Sequence, residues 1–262
     1  LLADLLSEVS SVPELMDSTG FSEDDLFDLI GFDDKPEDEQ EIEVPVEPKT
    51  KLGDMYKLGN HYLLCGDATK QDDINKLIEN NEIDMLMIDP PYGINANKQT
   101  LGNGKKEFYR GNNWDETTVN ILPLLDLAKY SCIWGGNYYA DILPVNNDWL
   151  CWDKKIRNVS FSEFELAWTN FGKNARIIEH HWSGELKLHP TAKPLPVINW
   201  VLLILTHIKT VLDVFGGSGT TLISCEKLNK QCFMMELDPA YCDVIIERWE
   251  NLTGQKAELT NG

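Results

Sequence analysis

Basic residues are scarce in this chain: 23 Lys and Arg stand against 43 Asp and Glu, a formal net charge of −20 over 262 residues. That shortage excludes a protein that coats nucleic acid by overall charge, so any polyanion would have to be met by a local positive patch. The deficit is uneven. Residues 1–48 hold sixteen acidic side chains and a single basic one, Lys35, for a net of −15, which leaves only −5 on residues 49–262. Also missing is an apolar run of the ~20 residues that a membrane helix needs. The longest candidate, Val201 to Ile208, is broken by His207 and closed by Lys209. Residues 1–10 have neither the basic start nor the cleavage site of a secretory signal, and an opening on Leu1 instead of Met suggests a segment of something longer.

Metal and disulfide signatures are absent too. The six cysteines (Cys65, Cys132, Cys151, Cys225, Cys232 and Cys242) include no CxxC and no His/Cys pair at zinc spacing. They are expected to be reduced, mostly buried thiols, as suits a cytoplasmic protein, and no metal site is expected. The adjacent His180 and His181 would point to opposite sides of a strand rather than converge on a metal.

What remains divides into three parts. Residues 1–32 show helical spacing in Leu1, Leu2, Leu5, Leu6 and Val9 and again in Leu26, Phe27, Leu29 and Ile30, so a short, helical, acidic extension is expected. Residues 33–48 are acidic and interrupted by Pro36, Pro45 and Pro48, the composition of an extended linker. From residue 49 to 262 short β-rich runs alternate with helical stretches, which predicts an α/β domain with a doubly wound, mostly parallel sheet. Strands are expected at Tyr62–Cys65, Met85–Ile88, Ser131–Trp134, Trp149–Trp152, Glu165–Trp168, Thr210–Phe215 and Cys232–Glu236. Helices are expected at Gln71–Glu79, Val119–Lys129, Pro196–Leu205, Thr220–Leu228 and Ala240–Asn251.

The strand expected at Val211 to Phe215 runs into Gly216-Gly217-Ser218-Gly219-Thr220 and then a helix. A glycine turn at a strand's carboxyl end is where open α/β sheets bind nucleotides. The next strand ends at Glu236, about the separation at which an acid accepts hydrogen bonds from ribose hydroxyls. A dinucleotide fingerprint would place Gly or Ala at position 222, where Leu222 stands, and there is no GK[ST] phosphate loop. A ligand with a ribose but no pyrophosphate, such as S-adenosylmethionine, fits better; the plainer alternative is a tight turn.

The most specific signal is Asp89-Pro90-Pro91-Tyr92, at the end of an apolar strand. Two prolines remove two backbone donors, so the Asp89 carboxylate and the Pro90 carbonyl can accept both protons of an exocyclic amine while Tyr92 stacks on its base. The plainer alternative is an ordinary proline turn carrying a solvated aspartate.

On these residues the sequence, from about Lys51 to Asn251, resembles the β class of S-adenosylmethionine-dependent DNA amino-methyltransferases. In that family the catalytic tetrapeptide precedes the cofactor glycines, a circularly permuted motif order, as it does here. Gly66-Asp67, Trp134-Gly135-Gly136-Asn137-Tyr138-Tyr139, Trp152-Asp153-Lys154 and His189-Pro190-Thr191-Ala192-Lys193-Pro194 match as well. The resemblance implies catalysis by Asp89, Pro90, Pro91 and Tyr92. It implies cofactor binding by Asp67, Asp89, Thr191, Lys193, Asp213, Phe215, Gly216, Gly217, Ser218, Gly219, Thr220, Glu236 and Leu237. Asp67 would meet the adenine, Glu236 the ribose, and Thr191 and Lys193 the amino-acid end. Read without the family, Lys193 is equally a surface charge and Asp67 a turn residue.

The same resemblance implies methyl transfer to an exocyclic amine of a base flipped out of double-stranded DNA, by direct in-line attack with no covalent intermediate. Asp89 favours N6 of adenine over N4 of cytosine, because N4-specific members more often carry Ser there. RNA or protein-amide methylation, whose tetrapeptides usually begin with Asn, and an inactive binding module are the further alternatives. Basic side chains beside aromatic ones, Lys98, Lys105, Lys106 and Arg110 with Phe108 and Tyr109, and then Lys154, Lys155 and Arg157 in a short target-recognition region at about 153–188, are the candidate DNA contacts. Homodimerisation is a family expectation. The amino-terminal piece resembles the segment that joins a partition-protein-like domain to a methyltransferase in phage or plasmid proteins; a docking arm for its own catalytic domain is the alternative.

Overall fold

The computed structural model describes residues 42–93, 118–159, 162–181 and 193–260. The helices expected in 1–32, most of the linker, the basic loop with Lys98, Lys105, Lys106 and Arg110, and Thr191 lie outside the described residues. Among the described residues one sheet of ten strands organises the chain: β1 (Met55–Leu58), β2 (His61–Cys65), β3 (Ile83–Ile88), β4 (Ala128–Trp134), β5 (Trp149–Asp153), β6 (Phe164–Thr169), β7 (Arg176–Glu179), β8 (Thr210–Asp213), β9 (Gln231–Glu236) and β10 (Glu258–Leu259). Their order is β10-β1-β2-β9-β8-β3-β4-β6-β5-β7. The five central strands β2, β9, β8, β3 and β4 are parallel throughout. Towards the edges the pairing turns antiparallel, except that β7 runs parallel to β5.

Alternation along the central strands shows how the sheet is covered. Leu63, Met85, Met87, Val211, Cys232 and Met234 face a core built with Val197, Val201, Leu222, Ile223, Ile245 and Trp249. Those partners come from α3 (Leu195–Ile204), α4 (Thr220–Lys227) and α5 (Pro239–Thr253). Their strand neighbours Leu64, Leu86, Ile88, Leu212, Phe233 and Met235 face the other side, against Ile74, Leu77, Ile121, Leu124 and Tyr139, from α1 (Gln71–Ile78), the turn α2 (Leu122–Leu125) and the 3₁₀ helix Gly136–Tyr139. A parallel strand buried on both faces reads as a continuous apolar run, which is why Met85-Leu86-Met87-Ile88 shows no alternation in its sequence. The architecture is the doubly wound α/β fold that the element pattern predicts.

Helix ends follow from their residues. Asp238 caps α5, its carboxylate accepting from the Ala240 N–H at 2.9 Å, Pro239 occupies the first turn and Gly254 closes the helix in the left-handed region. The helix expected at Val119–Lys129 is only the four-residue turn α2, because Ala128 and Lys129 belong to β4 and pair with β3. The apolar pair Ile121 and Leu124 supports one turn, and the sheet claims the rest. β8 stops at Asp213 rather than Phe215, since the Asp213 carboxylate turns back to accept from the Phe215 N–H at 3.0 Å. The six cysteines are unpaired thiols, all but Cys151 buried. No helix among the described residues is long and apolar enough to cross a membrane.

The chain leaves β8 towards β9 on one side and leaves β3 towards β4 on the other, so these adjacent strands form the topological switch point. Ligands of open α/β sheets bind outside the carboxyl ends of the strands at such a point. There the Asp89 and Gly216 turns emerge side by side.

Candidate active site at the switch point

Asp89 leaves β3 with both carboxylate oxygens engaged. Oδ2 accepts from the Lys193 ammonium at 2.6 Å, and Oδ1 accepts a short hydrogen bond from the Tyr92 hydroxyl. The Tyr92 ring stacks on Tyr138, with centroids 4.7 Å apart and planes 15° from parallel. The Pro91 carbonyl in turn accepts from the Tyr139 hydroxyl. The Trp134-Gly135-Gly136 segment explains itself against this turn. Gly135 has φ of +64°, and a Cβ there would sit 2.0 Å from the Tyr92 ring, so only glycine lets the ring seat. The tetrapeptide and the aromatic motif 42 residues later are thus one packing unit.

The cofactor candidates line the neighbouring strand ends. After β8, the Gly217 N–H donates to Glu236 Oε2 at 2.7 Å and the Asp238 N–H to Oε1 at 2.8 Å. The Leu237 N–H also acts on this carboxylate, which keeps acceptor capacity for a further donor. Gly216 donates to the Met235 carbonyl at 2.8 Å, and Gly66, beside Asp67, donates to the Glu236 carbonyl at 3.0 Å, which ties the ends of β2, β8 and β9 together. Gly219 has φ of +85° and lies where a Cβ would meet Ile245 at 2.8 Å, so the glycine turn packs directly on α5. Ser218 is buried, Thr220 begins α4, Phe215 is half-buried, and Leu237 is exposed. Asp67 accepts from the Thr69 N–H at 3.0 Å and its hydroxyl at 2.6 Å, an Asx turn beside the site.

Acids dominate this half. Burial pushes the Glu236 carboxyl up to about 7, against the lowering effect of its backbone donors. Burial likewise pushes Asp213 up to about 6, against hydrogen bonds from Thr221 and Phe215. Asp67, Asp89, Asp213 and Glu236 all lie at the carboxyl ends of neighbouring strands. Lys193 offsets the charge of Asp89, and the raised pKa values of Asp213 and Glu236 reduce theirs near neutral pH, so these strand ends offer acceptors to a nucleoside without a strong field of one sign.

The four basic candidates among the described residues all lie on acids. Lys193, assigned by resemblance to the cofactor's amino-acid end, is only 6% exposed and lies on Asp89 and Glu165. Lys154, a candidate DNA contact, is 8% exposed and turned inwards onto Glu165 at 2.7 Å, with its ammonium 5.3 Å from the centre of the Trp152 ring. Lys155 and Arg157 are exposed, but they pair with Glu179 at 3.0 Å and with Asp153 at 2.5 Å. Two residues escaped sequence reasoning altogether. Glu165 lies near the start of β6 with no motif around it. Arg248, buried on α5, donates to the Ser218 carbonyl at 2.6 Å and braces the glycine turn from behind; its only signal is a charge on the apolar face of a helix.

A family model described as DNA methylase, of the N6/N4 methyltransferase type, matches residues 127–247. The type II methyltransferase M.HpaI of Haemophilus parainfluenzae is 24% identical over 235 residues, covering 72% of this chain and 74% of that protein. The type II methyltransferase M2.MboI of Moraxella bovis is 23% identical over 227 residues, covering 67% and 83%. Among solved structures, the complex of M1.HpyAVI with SAM is 23% identical, covers 68% of this chain and 93% of that one, and superposes with a TM-score of 0.44. Residues 127–247 thus resemble the DNA methylases of N6/N4 type, and in this chain the Asp89 turn and the glycine turn meet at the switch point of the sheet.

Proposed function

We propose that this protein transfers the methyl group of S-adenosylmethionine to the N6 amine of adenine in double-stranded DNA. The observation that carries the reading is the meeting of Asp89-Pro90-Pro91-Tyr92 with the acid-lined glycine turn, at neighbouring strand ends in a chain related to N6/N4 DNA methylases. The cofactor supplies an electrophilic methyl on a sulfonium. Glu236 accepts the ribose hydroxyls, Gly216 to Gly219 admit the nucleoside close to the backbone, and Asp67 and Leu237 border the adenine. The Asp89 carboxylate and the Pro90 carbonyl accept the two amine protons, which holds the amine's lone pair in line with the methyl. Tyr92 stacks on the extruded base. Rate enhancement then comes from positioning the two reactants and excluding water, without a dedicated general base.

For the amine to reach Asp89, the Tyr92 hydroxyl and the Lys193 ammonium have to yield part of their hold on its oxygens. Lys155, Arg157 and the basic loop with Lys98, Lys105, Lys106 and Arg110 are the proposed phosphate contacts. A second subunit or a further domain would supply sequence selectivity, because the segment 153–188 offers little surface for reading bases.

The test is tritiated methyl transfer to unmethylated genomic DNA, followed by nucleoside digestion and mass spectrometry, with Asp89→Ala as control. N6-methyladenine that disappears in the variant supports the proposal. N4-methylcytosine would keep the mechanism and replace the base, and no product despite cofactor binding would point to a substrate other than DNA.

A further inference from the structure

Four side chains from separate stretches of the chain form a line of alternating charge that ends on the catalytic turn. Lys154 Nζ lies 2.7 Å from Glu165 Oε1, Glu165 Oε2 lies 3.0 Å from Lys193 Nζ, and Lys193 Nζ lies 2.6 Å from Asp89 Oδ2. Each cation also rests near an indole, Lys154 at 5.3 Å from Trp152 and Lys193 at 5.3 Å from Trp134. Two lysines and two carboxylates are neutral together, which is what lets so many charges be withdrawn from water. We propose that Glu165 is a positioning residue for methyl transfer, dividing the Lys193 ammonium between itself and Asp89 so that the Asp89 carboxylate remains open to the incoming amine. The inference rests on the methyltransferase reading given above.

The argument turns on competition for lone pairs. An ammonium bound to one carboxylate alone gives it a full charge-assisted hydrogen bond, and an arriving amine N–H has to displace that bond. A second carboxylate oxygen 3.0 Å away, paired by charge without hydrogen-bond geometry, draws the Lys193 ammonium off Asp89. A purely structural role for Glu165 would be met by Lys154, which already takes its other oxygen. Burial alone would lower the Lys193 pKa, but the Asp89 and Glu165 carboxylates outweigh it and hold it above its usual value, so the ammonium stays charged through the neutral range. The groups that act on Asp89 are Lys193, the Tyr92 hydroxyl, Glu165 beyond Lys193, and the Asp213 carboxyl at the end of β8.

Single-turnover methyl transfer by the whole chain, at saturating S-adenosylmethionine and varied DNA concentration, reads this arrangement, because Asp89 meets the incoming amine and not the cofactor. In Glu165→Gln the Lys193 ammonium falls undivided on Asp89, so the plateau rate falls about tenfold with the cofactor KM unchanged, and Glu165→Asp recovers part of it. In a Lys193→Met background, where there is no ammonium to divide, Glu165→Gln causes no further loss. Lys154→Met, which frees Glu165 to draw Lys193 away from Asp89, raises the plateau rate, and this variant serves if Glu165→Gln does not fold. A plateau rate unchanged in Glu165→Gln, or a further loss of about tenfold from it in the Lys193→Met background, overturns the proposal. So does a rate loss that only tracks the folded fraction in thermal melts. A wild-type chain that transfers no methyl to DNA overturns the functional reading itself, and this inference with it.

Discussion

Tyr92 and Tyr138 stack with their ring centroids 4.7 Å apart, and the inner ring is also the one whose hydroxyl holds Asp89. A base extruded as proposed would stack on one of these faces. Base–aromatic stacking contributes roughly 1–3 kcal/mol per base, so Tyr92→Ala should cut single-turnover methylation by two orders of magnitude or more, losing both stack and hydrogen bond. Tyr138→Ala should cost about tenfold, mostly in KM for DNA. Equal losses in kcat and none in KM for Tyr138→Ala would show that the outer ring has no part in holding the base.

Gly135 leaves no room for a methyl group. Its alanine variant adds a Cβ 2.0 Å from the Tyr92 ring at a backbone φ of +64°. Tyr92 has to move, so Gly135→Ala should lose transfer by about a hundredfold while S-adenosylmethionine binding, measured by calorimetry, stays within about twofold. A parallel loss of cofactor affinity would mean that the two halves of the site do not separate as the geometry implies.

The raised pKa of Glu236 makes a prediction with a sign. A carboxyl whose folded pKa lies at about 7 instead of 4.5 gives stability that is complete below the ordinary glutamate range and is lost as pH rises to 7. In the cofactor-free protein Glu236→Gln loses one backbone hydrogen bond at every pH, but its melting temperature relative to wild type should rise between about pH 5 and pH 8. The same variant should bind S-adenosylmethionine at least tenfold more weakly, since an amide gives one acceptor where two ribose hydroxyls need them. A melting-temperature difference that is flat with pH would contradict the assignment.

Arg248 holds the Ser218 carbonyl from within the core. Hydrogen bonds to charged groups contribute about 1.5–3 kcal/mol, so Arg248→Met should lower stability by that order. It should also weaken cofactor binding, because the glycine turn loses its brace, whereas DNA affinity in the absence of cofactor should be unaffected.

The sequence made the centre of the molecule legible and its margins obscure. Met85 to Ile88 and Cys232 to Met235 are buried on both faces, so their composition alone marks them as strands. β1, β7 and β10 are short strands at or near the sheet's edges, with exposed residues such as Ile177 and Leu259 that carry no pattern. In the site, the two turns announce themselves because prolines and glycines are needed for backbone reasons that any sequence displays. Lys193 and Glu165 do not, since an ion pair between residues 28 apart in the chain depends on how β6 happens to lie beside β4. A charged residue shows in a sequence, but its partner does not.

The pairing of β3 with β8 carries a consequence for synthesis of the chain. Met85 meets Val211 and Tyr62 meets Phe233, across more than a hundred residues in each case. Pairings between such distant segments make a high contact order, and the entropy of closing those loops is lost before the contacts form. A chain released only as far as α3 has Asp67 and the Asp89 turn but lacks β8, β9, the glycine turn and Glu236. The nucleoside therefore meets a complete set of contacts only after the distant strands have paired.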